Sequence, residues 1–487
     1  MIAEARRKTA LGDELRAVIF ATAIVWMVFA AAMLICVVTD LLAGDGDWKV
    51  FMISSGLVLT VAGMIALATR GADPKPTQRF GFLLVVMMWA TGPLAAAVPF
   101  VLHGMSLPDA VFEAVSGVTT TGATVITGLD VEPPGILLWR SLIQWIGGIG
   151  ILALGVVLLP FLRIGGMQLF SKESSDRSDR PLPRFASFAR GLLAVYALLT
   201  GLCFIAYEVV GMTSWEALNH ALTTVATAGF STYDASMGHF EQTGVLWVGS
   251  AFMLLGGLPF AMYVAVLFGR TPDRLDPQVA VLIGIVALAA ISLAASREGG
   301  FGEREFAEAV FNVVSVVTTT GYAAGDYTAY SPYAMALFFV LAFLGGSAGS
   351  TTGGIKTYRL IVTAAMLRAH LRRLVHPNMV AVTRYGGQQV DPAIFRSALV
   401  YLIAFAVVLM LLTMALAMTG LDLITAHSGA QTALTNVGPG LGPIIGPAGN
   451  FGSLPDAAKW LLCLGMILGR LEILPVLALL SSQFWRR

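Results

Sequence analysis

The chain reads as an all-α membrane protein: four span–loop–span repeats with pseudo-fourfold symmetry in one chain, preceded by two extra N-terminal spans. Three observations predict this class. Hydrophobic residues make up 57% of the 487 and charged residues only 12%, with a mean hydropathy of +0.79, too little charge to keep a soluble chain of this length dissolved. Ten apolar stretches are long enough to cross a bilayer, which takes roughly 20 residues each. Four short segments between those stretches repeat one pattern of residues in register.

The stretches centre near residues 18–42, 50–69, 80–102, 136–162, 186–210, 243–268, 278–296, 332–375, 392–419 and 457–482, the eighth being long and interrupted. The first is too long for the core of a secretory signal and lacks a cleavage site, so it reads as a span. Ten crossings put both ends on one side. With the N-terminus in the cytoplasm, Arg6, Arg7, Lys8, Arg70, Lys75, the 163–190 segment, Arg270, Arg274, the 356–396 segment, Arg486 and Arg487 fall inside. With Arg16 and Arg79 counted among them, 24 of the 30 Lys and Arg fall on the cytoplasmic side, as the positive-inside rule requires. Acidic residues such as Asp40, Asp45, Asp47, Asp130 and Glu132 mark the opposite side. Cys36, Cys203 and Cys463 lie in separate apolar stretches, with neither metal-site nor disulfide spacing, and read as small core residues.

The four short segments all lie on the outer side. They are LPDAVFEAVSGVTTTGAT (107–124), SWEALNHALTTVATAGFS (214–231), REFAEAVFNVVSVVTTTGYA (304–323) and ITAHSGAQTALTNVGPG (424–440). Aligned on Gly122, Gly229, Gly321 and Gly438, each has alanine twelve residues earlier (Ala110, Ala217, Ala309, Ala426). Each has a hydroxyl six earlier (Ser116, Thr223, Ser315, Thr432) and an aliphatic four earlier (Val118, Val225, Val317, Leu434). Such internal repetition, each unit enclosed by two spans, marks a repeat architecture. The expected organisation is a two-span extension over 1–75, then repeats over 76–165, 166–270, 271–380 and 381–487.

A permeating cation must exchange its hydration shell for a ring of oxygens, and backbone carbonyls serve because they carry dipoles without a trapping charge. Aiming carbonyls at one axis takes unusual backbone angles, which glycine adopts without steric penalty. The apolar segment before each glycine predicts a half-membrane helix of about three turns, its negative C-terminal end aimed at the pore. Asp109, Glu216 and Glu308 near the other ends suit the same dipole. Four pore loops in register between paired spans predict a cation pore.

On these loops the whole chain resembles the potassium-translocating subunits of the Trk/Ktr/HKT superfamily, and within it the bacterial TrkH type, because two spans precede the first repeat. The resemblance implies a potassium selectivity filter at Thr120, Thr121 and Gly122; Thr227, Ala228 and Gly229; Thr319, Thr320 and Gly321; and Asn436, Val437 and Gly438. Thr119, Ala226, Thr318 and Thr435 would add an inner layer. In plant-type relatives a serine at the first glycine accompanies sodium selectivity, so four intact glycines imply K+ as the permeant ion. Loops this uneven imply looser selectivity, with leak of sodium or rubidium.

The eighth stretch contains a run of glycine, serine, threonine and one alanine from Gly345 to Gly354, poor in helix propensity. Two readings stand: a helix packed tightly through small residues, or an unwound loop below the filter. The resemblance favours the loop, acting as a gate built on Gly345, Gly346, Gly349, Gly353 and Gly354, although Ser347 and Thr352 depart from the family's usual cysteine and glycine. Lys356 follows at once, either functional or reaching for the inner surface. Arg470 and Glu472 interrupt the last span in a GRLE motif, whose arginine in the family faces the permeation path and touches the gating loop. Arg140, another matching motif residue, reads as a structural anchor rather than an ion contact.

The six histidines show no metal-ligand spacing; His220 and His427, in the pore segments, read as packed or hydrogen-bonded residues ahead of pH sensors. No nucleotide-binding fingerprint is present, and nothing points to nucleic acid or to an organic cofactor. The basic surfaces at 163–190 and 356–396 read as lipid-facing loops or as ground for a cytoplasmic partner. By resemblance the chain is a homodimer on a cytoplasmic ring of nucleotide-binding subunits (RCK/KTN-type, TrkA-like), in the bacterial inner membrane. An enzyme would need a cluster of carboxylates, histidines or a nucleophile at one depth, which the spans lack. The rival reading is a secondary transporter coupling potassium to proton or sodium movement, poorly supplied because Glu208 and Glu472 are the main acids within spans.

Overall fold

The computed structural model describes residues 2–71, 77–158, 181–269, 276–296, 302–379, 383–386 and 388–486. Lys75, Arg270, Arg274, Arg487 and the 163–180 part of the first basic loop lie outside the described residues. Among these residues seven helices are long and apolar enough to cross a bilayer: Leu11–Ala43, Trp48–Thr69, Arg79–Leu102, Pro134–Ala153, Ser187–Val209, Pro277–Ala295 and Pro392–Ala417. The other three expected spans are broken. Thr243–Gly257 and Phe260–Leu267 meet at 87°, and Asp456–Arg470 and Leu474–Leu480 at 106°. The eighth stops at helix Pro332–Leu341 and resumes as helix Thr357–Val375.

The bends have local causes that hydropathy does not register. Pro259 lacks the N–H a continuing helix needs, and its ring would clash with the turn before it. At the second bend Glu472 and Ile473 adopt φ values of 57° and 56°, a left-handed step that turns the chain before Pro475.

Large apolar side chains such as Ile53, Leu67, Leu288 and Met410 are exposed along the outer faces, as lipid-facing helices require of a multi-pass membrane protein. Inside, one apolar cluster joins the N-terminal helices (Phe29, Met33, Phe51) to residues of the first and last loop regions (Phe112, Trp139, Leu412, Leu462). A second unites the middle of the chain through Tyr196, Phe260, Phe311 and Phe338. Cys36, Cys203 and Cys463 are buried and free, each in a different helix.

Four short helices lie between the spans: Leu107–Val118, Ser214–Val225, Glu303–Val317 and Leu423–Thr435. Their N-termini are specified by side chains that accept the orphan N–H groups. Ser106 caps the first, Thr213 and Glu216 form a capping box on the second, and Asp422 caps the fourth. The third differs from expectation: Glu308 sits a turn further in, paired with Arg304 at 3.1 Å, while Glu303 and Glu305 occupy the first turn.

Candidate functional site

Each short helix ends in a loop of the same shape. The residue two before the aligned glycine is left-handed in all four: Thr120, Thr227, Thr319 and Asn436 have φ of 52°, 49°, 53° and 54°. The glycines follow at 85°, 80°, 84° and 111°. The intervening residue is anchored each time to the carbonyl of the hydroxyl residue six before the glycine. Thr121, Ala228, Thr320 and Val437 donate their N–H groups to Ser116, Thr223, Ser315 and Thr432 at 2.8, 3.0, 2.8 and 3.2 Å. Left-handed steps alternating with ordinary ones turn successive carbonyls toward a common side, at a strain that only a closely supported backbone tolerates.

The loops close into a ring. A Cβ on Gly122 would run into the Ala228 carbonyl, one on Gly229 into Thr320, one on Gly321 into Val437, and one on Gly438 into Thr121 at 2.7 Å. First loop touches second, second third, third fourth, and fourth first. The twelve expected filter residues therefore lie together, each glycine pressed against the next loop's backbone, where no side chain fits. In the layer beneath, Thr119 bonds Thr121 at 2.7 Å and Thr318 bonds Thr320 at 2.8 Å through their hydroxyls, while Ala226 is buried without one.

The strand leaving each glycine is held by residues that sequence reasoning missed. Glu113 accepts from the Val125 N–H at 2.9 Å, and Asn312 accepts from the Ala324 N–H at 2.9 Å. Both stand nine residues before their glycine. His220, in the same column, meets the Ser231 hydroxyl at 3.0 Å, with its other ring nitrogen on the Glu216 carbonyl at 2.8 Å. The fourth loop has Gly429 there, and Ser428 accepts from the Leu441 N–H at 3.0 Å instead. The signal was a polar residue at a fixed offset inside an apolar helix, obscured because its identity changes from repeat to repeat.

Arg140 is an anchor. It is buried, pairs with Glu113 at 2.8 Å, donates to the Ser231 carbonyl at 2.7 Å, and lies 4.1 Å from the Phe230 ring centroid. It borders an open vestibule above the ring, also lined by Gly122, Gly229, Gly321, Tyr233 and Asp234. His427 is packed rather than free, stacked on Phe339 and 3.3 Å from the Thr413 hydroxyl.

Between Leu341 and Thr357 the chain is unwound and pressed against the loops from the other side. Leu344 and Gly345 pair in parallel with Ile355 and Lys356, pinching the segment at its base. Gly345 packs on the Gly353 carbonyl, and the Gly346 N–H donates to the Thr352 hydroxyl at 3.1 Å. Gly349, at φ 78°, accepts from the Phe260 N–H at 3.0 Å, which ties the loop to the first bend. At the tip Gly353 donates to the Thr319 hydroxyl at 2.6 Å, Gly354 to the Thr435 carbonyl at 2.8 Å, and Thr227 to the Thr351 hydroxyl at 3.0 Å.

Two cations hold this loop. Lys356 folds back to the Thr352 carbonyl and hydroxyl rather than reaching away. Arg470, buried at the end of helix Asp456–Arg470, donates to the Thr351 carbonyl at 3.0 Å and lies 5.8 Å from the Trp89 ring centroid. Just past it Glu472 pairs with Arg359 at 2.5 Å, and Arg359 stacks over Tyr401. Among the described residues no group of histidines, cysteines and carboxylates is arranged to hold a metal ion.

Comparison with known proteins agrees with this architecture. The TrkH family model, described as a cation transport protein, matches residues 47–277 and 302–486. The Trk system potassium uptake protein TrkI of Halomonas elongata is 43% identical, covering all of both chains. TrkH of Escherichia coli K12 is 34% identical over 94% of this chain and 97% of its own. The crystal structure of the potassium transporter TrkH from Vibrio parahaemolyticus superposes with a TM-score of 0.89, at 33% identity, over 97% of this chain and 100% of that one. The chain thus belongs to the TrkH family of cation transport proteins, a family of transporters and not of enzymes.

Proposed function

We propose that this protein takes up potassium across the bacterial inner membrane through a channel-like pore, with K+ passing the ring of Thr120–Gly122, Thr227–Gly229, Thr319–Gly321 and Asn436–Gly438. The observation that carries this reading is the closed ring: four left-handed steps and four glycines, each glycine abutting the next loop's carbonyl. Such a ring offers a dehydrated cation oxygens at one depth without a full negative charge to trap it. The relatives' names, Trk system potassium uptake proteins, support potassium as the ion. The pore loops belong to four repeats bounded as 76–165, 166–270, 271–380 and 381–487.

The segment 345–354 is the gate. Its bonds to Thr319, Thr435 and Thr227 support this reading, in which ions pass only when it withdraws. Arg470 and Lys356 hold it there. Control comes from a cytoplasmic ring of nucleotide-binding, TrkA-like subunits beneath a homodimer whose termini are cytoplasmic. Coupled transport is disfavoured by the engagement of the span acids: Glu472 is paired with Arg359 and Glu208 accepts from Ser214 at 2.5 Å.

The test is uptake of potassium and of sodium into proteoliposomes, with the cognate cytoplasmic subunit present, by wild type and Gly122→Ser. Wild type is expected to favour potassium and the variant to lose that preference, because a Cβ at Gly122 meets the Ala228 carbonyl. Absence of cation flux from folded wild type would overturn the pore. Equal preference in both proteins would remove the first loop from the filter.

A further inference from the structure

The second loop is held differently from the other three. In the first, third and fourth, the residue three after the glycine donates its N–H to a side chain of its own short helix: Val125 to Glu113, Ala324 to Asn312 and Leu441 to Ser428. The second loop has no such bond at Thr232 among the described residues; beside His220 of its own helix, it is held from the preceding repeat. Gln144, in helix Pro134–Leu158, spans Gly229 with both ends of its amide. Its Nε2 donates to the Ala228 carbonyl at 2.6 Å, and its Oε1 accepts from the Phe230 N–H at 3.0 Å.

Gln144 is fully buried, and both halves of its amide are used. Arg140, one helical turn away on the same face, holds the Ser231 carbonyl just above. The position has counterparts in the other repeats, three residues before a Gly-Gly or Gly-Arg pair: Met253, Ala342 and Met466. None of these has a side chain able to donate to a carbonyl. Among the described residues, therefore, only one quarter of the ring has a filter carbonyl steered by a side-chain amide from this position. A residue this polar would not sit in an apolar span without a partner, since an unmade hydrogen bond there is expensive.

We propose that Gln144 is a specificity-determining positioning residue for the ion pathway, acting through its amide clamp on Ala228 and Phe230. It resets the field of one carbonyl in four and fixes the Ala228–Gly229–Phe230 turn against the pull of a passing cation. Without it that carbonyl swings freely, and the second quarter of the ring no longer distinguishes ions by size. This rests on the filter reading above.

Two substitutions break the clamp, one in its donor half and one wholly. Gln144→Glu keeps an acceptor for the Phe230 N–H and removes the donor to Ala228. Gln144→Met installs the residue that the second and fourth repeats carry. In proteoliposomes the potassium-to-sodium flux ratio is expected to fall roughly threefold to tenfold in both, the change that one hydrogen bond's net worth corresponds to. Total cation flux should be kept, a pattern that general loosening of the fold would not produce. As a second readout, the extra thermal stability that wild type gains in potassium over sodium should shrink in Gln144→Glu. An unchanged ratio and unchanged ion-dependent stability in the folded variants would overturn the proposal while leaving the filter intact. Loss of selectivity in wild type itself would instead indict the filter.

Discussion

At the scale of single residues, the molecule places its buried cations where they restrain something. Arg470 is 2% exposed and makes one hydrogen bond to the unwound 342–356 segment, at Thr351. A charge-assisted bond of this kind contributes about 1.5–3 kcal/mol, enough to shift a closed–open balance tenfold or more. Arg470→Ala also removes a positive charge from beneath the ring, and both effects act in one direction: steady-state potassium flux should rise about tenfold at equal expression. Unchanged flux would mean that Arg470 only packs. On the outer side His103 is held between Asp47 at 2.8 Å and Glu132 at 3.2 Å, which joins the two-helix extension to the first repeat. Its pKa is raised above the ordinary 6.5, first by the bond to Glu132, against some opposition from burial, and then by Asp47. A histidine raised in this way stabilises the fold fully below pH 6.5, and the contribution fades as pH climbs through the raised value. His103→Gln should therefore lower the melting temperature at pH 5.5 and leave it near wild type at pH 9. The partial exposure of all three groups keeps the effect within about 1 kcal/mol. Equal melting shifts at both pH values would show that the ring packs but carries no pH-linked charge.

At the scale of elements, the decisive contact is between each short helix and the span that follows it. Gly147 faces the Val118 carbonyl and Gly469 the Leu434 carbonyl, with Gly256 3.0 Å from the Val225 carbonyl at its would-be Cβ. Gly345, at the matching place in the third repeat, faces the Gly353 carbonyl of the unwound segment instead. A methyl at Gly147 must push the first short helix, so Gly147→Ala should destabilise the detergent-purified protein by about 1–3 kcal/mol. Gly201→Ala, in a helix where a Cβ meets nothing, should be neutral or slightly stabilising. A differential melt of the pair decides the point, and equal melting would show that the helix yields at no expense. These same elements mark how far the sequence could be read. The ring was legible because Ala110, Ser116, Val118 and Gly122 recur in every repeat at fixed offsets, each demanded by backbone geometry. Glu113, Asn312 and Ser428 were not, and His220 was legible as a packed or hydrogen-bonded histidine but not in this role, because unlike side chains do one job and identity is what a sequence displays. The bends after Gly257 and Arg470 were missed because hydropathy measures how apolar a stretch is and not where it points. The unwound 342–356 segment was read as one of two alternatives, since composition alone does not separate small-residue packing from a loop.

At the scale of the whole molecule, a ring made from one chain must be closed by its two ends. The closing contacts join residues more than three hundred apart. Asn436 donates to the Thr121 hydroxyl at 2.9 Å, Asn450 to the Ile126 carbonyl at 2.7 Å, and Lys459 to Asp109 at 2.5 Å. Contacts of such separation form last, because the chain between them must already be ordered before they are rewarded. The ion pair is the outermost of the three and the easiest to remove without touching the ring. Lys459 is nearly buried while Asp109 is partly exposed at the start of the first short helix. The helix N-terminus already favours Asp109, whereas Lys459 without it keeps only the distant Asp456 at 3.9 Å, so Asp109 tolerates losing its partner better. Lys459→Met should therefore cost less stability than Asp109→Asn. A double-mutant cycle on detergent unfolding should return a coupling of about 1–3 kcal/mol between them. A coupling near zero would mean that the ring is closed by its loops alone and that the first and last repeats are held by apolar packing. A coupling of the expected size, with leak of sodium in both single variants, would make the ends of the chain a working part of the filter, because the fourth loop reaches the first only while that junction holds.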